Sequence, residues 1–211
     1  IKSLKNQNKK YLVKILINKK IFSFQSNTNI IHRINNLIFC IILFQYNKLD
    51  TNIIIKNFKN LKPVIGRGLI FDKKLNNIKI KFIDETYNAN PDTMKQSIDY
   101  FYSMQIKGYT KILILGNMNE LGEDTNKLHL NLLKEIEKYI FKYVILSGEI
   151  YKKSIKKLQN PKNKFFYFDN KTKIMKFLNN YVLNNDIILI KCSNSTEINK
   201  FAKDLLMKKD S

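Results

Sequence analysis

The sequence predicts an α/β protein whose larger part is a Rossmann-like domain, with a mostly parallel sheet and helices on both faces. Beyond the segment Gly66-Arg67-Gly68, short apolar strand candidates alternate strictly with helix candidates. Such alternation is typical of parallel sheets covered by helices. The 211 residues are 44% hydrophobic, which is ample for a buried core. The longest apolar run, residues 37–44, is far shorter than the roughly 20 residues of a membrane span.

The predicted strands and helices of this larger part follow each other along the chain. The strand candidates are residues 78–83, 111–115, 143–146, 165–168 and 187–190. The helix candidates lie near residues 91–106, 125–141, 150–159, 171–183 and 196–207.

The first sixty residues have a different pattern. Residues 11–17 and 21–24 read as two strands of a hairpin around Asn18-Lys19-Lys20. Residues 31–46 are apolar on all sides and predict a buried helix, with Cys40 as a small residue of the protein core. Residues 51–58 predict a shorter helix. Together they resemble the closing piece of a larger domain.

Charge and cysteine content limit the functional classes. The formal net charge is +21, but nearly all of it comes from Lys, with Arg33 and Arg67 the only arginines. Readers of nucleic acid favour Arg for bidentate contacts, so we expect no nucleic-acid partner. The two cysteines form no metal-ligand or disulfide pattern. We therefore expect a cytoplasmic protein, a monomer, with no membrane partner and no metal site in this chain.

Polar residues stand where the strand candidate 78–83 meets the next helix candidate. Ligands bind at the carboxyl ends of strands in open α/β sheets, and helix N-termini attract anions. Asp84 ends the strand, and an aromatic and two amides follow it. Asn90 directly precedes Pro91 and is the better helix cap, which leaves Asp84 free for a ligand.

Several segments carry a resemblance to the Mur ligase family. Residues 84–94 (DETYNANPDTM) resemble the opening of the C-terminal domain of that family. Segments 61–67 (LKPVIGR), 115–122 (LGNMNELG) followed by His129, and 190–193 (IKCS) occur in the family's order. Residues 32–36 (HRINN) resemble the family's His-Asn-x-x-Asn, with Arg33 in place of the first Asn. The resemblance covers roughly residues 21–206.

This resemblance implies two domains and an activity. Residues 1–67 would be the C-terminal remnant of a central ATP-binding domain, and residues 68–211 the C-terminal domain. The implied reaction uses ATP and Mg²⁺ to join D-alanyl-D-alanine to UDP-N-acetylmuramoyl-tripeptide for the cell wall. The six glycines include no Gly-x-x-x-x-Gly-Lys-[Ser/Thr] phosphate loop. That loop and the Mg²⁺ ligands are expected before residue 1, so we expect no catalytic residue here and no ligation by this chain alone.

The resemblance also implies site residues. The expected ATP contacts are Arg67, Asp84, Tyr87, Asn88, His32 and Asn36. The expected substrate contacts are Lys191, Ser193, Asn90, Glu120 and His129. Structural roles remain open for several of them: a solvated loop arginine, an aromatic lid with an Asx turn at residues 87–88, a core histidine in the helix, or a helix-start glutamate.

Three departures from the family pattern bear on function. Asn117 stands where the family has Asp, Cys192 where it has Gly, and Asn194 where it has Arg. An amide cannot act as a carboxylate does, and a lost glycine hinders close backbone approach. Two alternatives therefore stay open: a non-catalytic remnant of a split or decaying ligase, or a small basic module that binds an anion or nucleic acid.

Overall fold

A computed structural model of the chain describes residues 3–7, 10–26, 31–58, 64–104, 106 and 108–207. The chain divides into two compact units, Ile1–Lys62 (unit 1) and Pro63–Ser211 (unit 2). The division precedes the Gly66-Arg67-Gly68 segment, which hydrogen-bonds within unit 2. The assignment of the two units to a central-domain remnant and a C-terminal domain stays a prediction.

Unit 1 contains an antiparallel sheet of order β1-β2-β3, with β1 Ser3–Gln7, β2 Lys10–Ile17 and β3 Lys20–Ser26. Two helices follow, α1 Ile31–Tyr46 and α2 Thr51–Asn57. The predicted hairpin is confirmed, and its turn residues Asn18 and Lys19 have φ values of 47° and 63°. The predicted helices are also confirmed, whereas β1 was not predicted.

Helix α1 is buried on one side only. Ile34, Leu37 and Ile41 face the core of unit 1, while Tyr46 is 85% exposed. Cys40 is exposed, so its predicted place in the core is wrong. The buried residues are spaced at three and four positions, and Cys40 falls outside that stripe.

Unit 2 is built on a six-stranded sheet of order β4-β5-β9-β6-β7-β8. Its strands are β4 Leu69–Leu75, β5 Ile78–Glu85, β6 Thr110–Leu115, β7 Tyr143–Leu146, β8 Phe165–Tyr167 and β9 Asp186–Lys191. Strands β5 to β9 run parallel to their neighbours, and only the edge strand β4 is antiparallel. The predicted mostly parallel sheet is confirmed; β4 is an addition to it.

Helices cover both faces of this sheet, as predicted. The helices are α3 Pro91–Ser103, α4 Thr125–Ile136, α5 Glu149–Ile155, α6 Lys171–Tyr181 and α7 Glu197–Met207. Residues of α3, α4 and α5 pack in one apolar core, and residues of α6 and α7 pack in a second. Within the described ranges, no helix combines the length and apolar character that crossing a bilayer requires.

The central strands bring three loops to one edge of the sheet. Lys191 at the end of β9 pairs with Glu85 of β5 on one side and with Leu115 of β6 on the other. Because parallel strands in register end at the same level, the loops that follow β5, β9 and β6 lie side by side. This is the position where ligands bind in open α/β sheets.

Candidate ligand site at the carboxyl edge of the sheet

The carboxyl edge collects most of the predicted site residues. All of those that belong to unit 2 lie in or beside the loops after β5, β6 and β9, or in the Gly66–Gly68 turn. His32 and Asn36 belong to α1 of unit 1. Asn36 is exposed, whereas the side chain of His32 lies outside the described part of the chain. Their predicted contact with adenine stays a prediction.

Arg67 and Tyr87 form a stacked pair on the solvent side of this edge. The Arg67 guanidinium carbon lies 3.8 Å from the centroid of the Tyr87 ring. Such a cation–π contact attracts the guanidinium to the face of the ring and limits its freedom. Arg67 is exposed and Tyr87 is 50% exposed, so both side chains are accessible to a ligand.

The backbone around Arg67 is held close to the loop after β5. Gly66 and Gly68 have φ values of 77° and 84°, a region that favours glycine. The Tyr87 N–H donates to the Gly66 carbonyl at 3.0 Å, and the Gly68 N–H donates to the Asp84 carbonyl at 2.7 Å. A Cβ at Gly66 would lie 2.9 Å from the Tyr87 nitrogen, so only glycine permits this approach.

The carboxylate of Asp84 is buried and satisfied inside the protein. Asp84 has 0% exposure. One carboxylate oxygen accepts from the Gly66 N–H at 2.8 Å. The other accepts from the Thr86 N–H at 3.1 Å and from the Thr86 hydroxyl at 2.7 Å. The expectation that the Asp84 carboxylate is left without a protein partner is therefore wrong, since it holds the Arg67 turn against the loop after β5. Its predicted contact with ATP stays a prediction.

The two amides after Tyr87 have different surroundings. Asn90 is the N-cap of α3, as predicted: its side chain accepts from the Thr93 N–H at 2.8 Å, and the Thr93 hydroxyl completes a capping box. Asn88 is exposed, and its side-chain oxygen accepts from the Ala89 N–H at 2.8 Å. The predicted contact of Asn88 with ATP stays a prediction.

Lys191 is buried beneath the loop after β5. Its ammonium donates to the Asn88 carbonyl at 3.2 Å and lies 3.7 Å from the Glu85 carboxylate. Burial lowers the pKa of Lys191, and the positive charge of Arg67 adds to this, while the Glu85 charge opposes it. In this structure Lys191 fixes the loop that carries Tyr87; its contact with a substrate stays a prediction.

Ser193 links all three loops. Its hydroxyl accepts from the Asn119 N–H at 3.0 Å and donates to the Ala89 carbonyl at 3.3 Å. The Asn119 side chain in turn donates to the Ser195 hydroxyl at 2.8 Å. Ser193 is 5% exposed, so these hydrogen bonds connect the three loops in the interior of the protein.

His129 is also buried and uses both ring nitrogens. Nδ1 lies 2.7 Å from the Thr125 carbonyl, which can only accept, so Nδ1 carries the proton. Nε2 then accepts from the Met118 N–H at 3.1 Å. Burial lowers the pKa of His129, although the hydrogen bond to Thr125 opposes this. A neutral His129 thus anchors the loop after β6, and its predicted contact with an incoming amine stays a prediction.

A groove of about 370 Å³ opens between the loop after β6 and helix α4. It is lined by Asn117, Met118, Asn119, Glu120, Leu121, Gly122, Thr125, His129 and Ile150. Glu120 is exposed at the groove and has a φ of 63°. A left-handed glutamate is uncommon, and such backbone positions cluster at ligand sites. The Glu120 side chain is therefore accessible from the groove, and its predicted contact with the substrate stays a prediction.

The departures at residues 117 and 192 have distinct structural settings. The Cys192 side chain is buried in the apolar core of α6 and α7, beside Gly116. It therefore extends the core rather than blocking the solvent side of the loop, and burial raises the pKa of its thiol to about 12. The side-chain oxygen of Asn117 is buried against Gly148 and has no hydrogen-bond partner among the described residues. Asn194 is exposed.

Sequence reasoning missed two buried residues of this edge, Thr86 and Asn199. The two-residue spacing from Asp84 to Thr86 is typical of an Asx turn and could have indicated Thr86. The side chain of Asn199 in α7 donates to the Thr86 carbonyl at 2.8 Å, across 113 residues of sequence. No local pattern indicates such a contact. Among the described residues, no group of three or more His, Cys, Asp or Glu is placed to hold a metal ion.

Comparison with known proteins identifies relatives of this chain. Residues 70–194 match the family described as Mur ligase, glutamate ligase domain. The chain is 32% identical over 143 residues to the UDP-N-acetylmuramoyl-tripeptide–D-alanyl-D-alanine ligase of Buchnera aphidicola subsp. Acyrthosiphon pisum, covering 65% of this chain and 30% of that protein. The protein of the same name from Rickettsia prowazekii is 28% identical over 169 residues, covering 80% of this chain and 36% of that protein. The matched region thus spans about a third of these relatives.

The fold has counterparts among solved structures. A MurF ligase from Thermotoga maritima, in complex with ADP, superposes with a TM-score of 0.70 at 20% identity. The superposition covers 97% of this chain and 46% of that chain. At this identity the similarity concerns the fold alone.

Proposed function

This chain belongs to the Mur ligase family, and on that premise we propose that it forms the C-terminal part of an ATP-dependent ligase of peptidoglycan precursor synthesis. The ligase would join D-alanyl-D-alanine to UDP-N-acetylmuramoyl-tripeptide in the cytoplasm. The names of the curated relatives support this choice of substrates. The chain alone, which has no phosphate loop in its sequence, would not catalyse the reaction.

The exposed Arg67–Tyr87 pair is the observation that carries this proposal. The guanidinium fork suits bidentate contact with phosphate oxygens, and its central carbon lies 3.8 Å from the centroid of the Tyr87 ring. The turn that carries Arg67 is fixed on both sides by hydrogen bonds to the loop after β5. A pre-oriented cation of this kind binds a nucleotide phosphate without a large loss of side-chain entropy. The ADP bound in the Thermotoga maritima relative is consistent with nucleotide binding by this fold.

The remaining residues of the edge divide into two roles. Asn88 and Glu120 are exposed, and we assign them to ligand contact: the amide to the nucleotide, the carboxylate to the ammonium of the dipeptide. Asp84, Lys191, Ser193 and His129 hydrogen-bond the backbone of neighbouring loops, and Asn90 caps its own helix α3. Their contribution is to orient the loops that carry the contact residues.

The implied chemistry needs this orientation. A substrate carboxylate would attack the γ-phosphate of ATP and release ADP to give an acyl phosphate. The dipeptide amine would then attack the acyl carbon, release inorganic phosphate, lose a proton and form the amide. Correct placement of reacting groups supplies a large part of the rate enhancement in such reactions. Arg67 would place the nucleotide, and Glu120 would place the amine.

An assay of the intact ligase tests this function. ADP release should require both UDP-N-acetylmuramoyl-tripeptide and D-alanyl-D-alanine. Arg67→Ala should raise the KM for ATP by about 10- to 100-fold, since a charge-assisted contact is lost. Lys173→Ala removes an exposed cation that pairs with Asp169 and should leave the KM unchanged.

The outcomes separate the alternatives. ADP release that ignores the dipeptide would contradict the proposed substrate. An intact protein that folds and releases no ADP with both substrates present would favour a non-catalytic remnant.

A further inference from the structure

A buried chain of hydrogen bonds joins helix α7 to the turn that carries Arg67. Asn199 lies in α7 and is 3% exposed. Its side-chain nitrogen lies 2.8 Å from the Thr86 carbonyl and 3.3 Å from the Thr86 hydroxyl. The Thr86 hydroxyl reaches Asp84 at 2.7 Å, and Asp84 accepts from the Gly66 N–H at 2.8 Å.

The donors and acceptors of this chain have one consistent arrangement. The Thr86 carbonyl can only accept, so the atom of Asn199 that faces it is the NH₂ group. The Thr86 hydroxyl accepts from that NH₂ group and donates to a side-chain oxygen of Asp84. Each group therefore has its partner, and an acceptor-only side chain at position 199 would face the Thr86 carbonyl with the wrong polarity.

The ends of the chain lie next to the residues that contact ligand. Thr86 directly precedes Tyr87, and Gly66 directly precedes Arg67. Tyr87 and Asn88 are exposed, whereas Thr86 is buried and is tied to α7 through Asn199 and to the end of β5 through Asp84. A shift of Thr86 would thus move the Tyr87 ring and, through Asp84, the Arg67 turn.

We propose that Asn199 is a positioning residue that fixes the Arg67–Tyr87 pair for nucleotide binding. This inference rests on the proposed nucleotide role of Arg67. Asn199 itself is buried and does not touch the ligand. It acts by holding the loop after β5 at its buried end, while Asp84 transmits that hold to the Arg67 turn.

Amide hydrogen exchange in the full chain tests the coupling without any nucleotide. Asn199→Ala leaves the Thr86 carbonyl without its partner, and we expect the amides of Gly66 and Thr86 to exchange about tenfold faster. Asn163→Ala is the matched control. Asn163 is 4% exposed and bonds the Ile136 and Tyr139 carbonyls, so its loss should leave Gly66 exchange unchanged.

An ADP titration followed by amide chemical shifts tests the functional consequence. Asn199→Ala should weaken ADP binding about fivefold to tenfold, and Asn163→Ala should not. If Asn199→Ala does not fold, Thr86→Val removes the hydroxyl with its bonds to Asp84 and Asn199, keeps the bond from Asn199 to the residue 86 carbonyl, and should give the same two changes.

The readouts keep this inference separate from the proposed function. Unchanged Gly66 exchange in the Asn199 and Thr86 variants would overturn the coupling. Faster Gly66 exchange with unaltered ADP affinity, while Arg67→Ala still weakens ADP binding, would overturn the positioning role and leave the proposed function standing. If Arg67→Ala does not weaken ADP binding, the proposed function fails and this inference fails with it.

Discussion

The carboxylate of Asp84 accepts a hydrogen bond from the Gly66 N–H at 2.8 Å, across 18 residues of sequence. Through this contact the end of β5 holds the turn that presents Arg67. Because the carboxylate is buried, its hydrogen bonds are protected from competition with water. Asp84 therefore has a structural role at the site, because it holds the backbone that presents Arg67.

Removal of this carboxylate should destabilise unit 2. Asp84→Ala leaves the N–H groups of Gly66 and Thr86 without an acceptor, and we expect a loss of about 3 kcal/mol in the free energy of unfolding. Chemical denaturation measures this loss. Asp92→Ala, an exposed acid in the first turn of α3, should cost less than about 1 kcal/mol. Equal losses in the two variants would contradict the framework role of Asp84.

The stability of the chain should fall on acidification because of His129. Burial lowers the pKa of His129 below its ordinary value of 6.5. The unfolded chain therefore takes up a proton near pH 6.5 while the folded chain does not, so stability is lost as the pH falls below that value. The slope can reach about 1.4 kcal/mol per pH unit.

The measurement compares denaturation at pH 7.5 and pH 5.5. The drop in stability should be smaller in His129→Asn than in the wild type. An unchanged drop in His129→Asn would show that His129 is not the group responsible.

Gly116 makes room for the cysteine that replaces the family's glycine. A Cβ at residue 116 would lie 2.7 Å from the Cys192 Cβ and 3.0 Å from the Ile198 Cβ. Gly116→Ala should thus cost about 1–3 kcal/mol through overpacking.

A double-mutant cycle with Cys192→Gly tests the origin of this cost. The double variant should be more stable than the sum of the single effects by about 1 kcal/mol, since one clash is gone. Strict additivity would mean that Ile198 alone accounts for the loss.

Glu120 should affect the dipeptide and not the fold. Glu120→Gln removes the charge at the groove, so we expect the KM for D-alanyl-D-alanine in the ligase assay to rise about tenfold. The free energy of unfolding should change by less than about 0.5 kcal/mol, because the side chain is exposed. Glu123→Gln, a nearby exposed acid outside the groove lining, serves as the control and should keep the wild-type KM.

The sequence predicted the parallel strands and all the helices of unit 2 because their apolar runs are continuous or strongly periodic. It did not predict β4, because the exposed position 70 carries Ile, so the residue types do not follow the period-two alternation of burial that identifies a strand. A polar residue, Lys73, also stands at one of its inward positions. The helical spacing of Ile34, Leu37 and Ile41 places Cys40 outside the buried stripe of α1. That stripe was hard to recognise in the sequence, because the helix carries apolar residues on all sides.

The structure brings the predicted site residues of unit 2 to one edge of the sheet, whereas the sequence did not predict which of them are exposed; their ligand contacts stay predictions. The strand-end positions of Asp84 and Lys191 follow from local pattern. Whether such a residue faces solvent depends on partners far away in sequence, as Asn88 lies 103 residues from Lys191. Hydrogen bonds between residues far apart in the chain produce no periodic pattern in the sequence. The structure is therefore needed to show which site residues are exposed and which are buried.

The most direct test of nucleotide binding by the Arg67–Tyr87 pair is an ADP titration of the chain, followed by backbone amide chemical shifts. We predict saturable shifts at Gly66, Gly68 and Asn88, with an affinity at least about tenfold weaker in Arg67→Ala. ADP-induced shifts confined to other parts of the chain, or wild-type affinity in Arg67→Ala, would contradict the account.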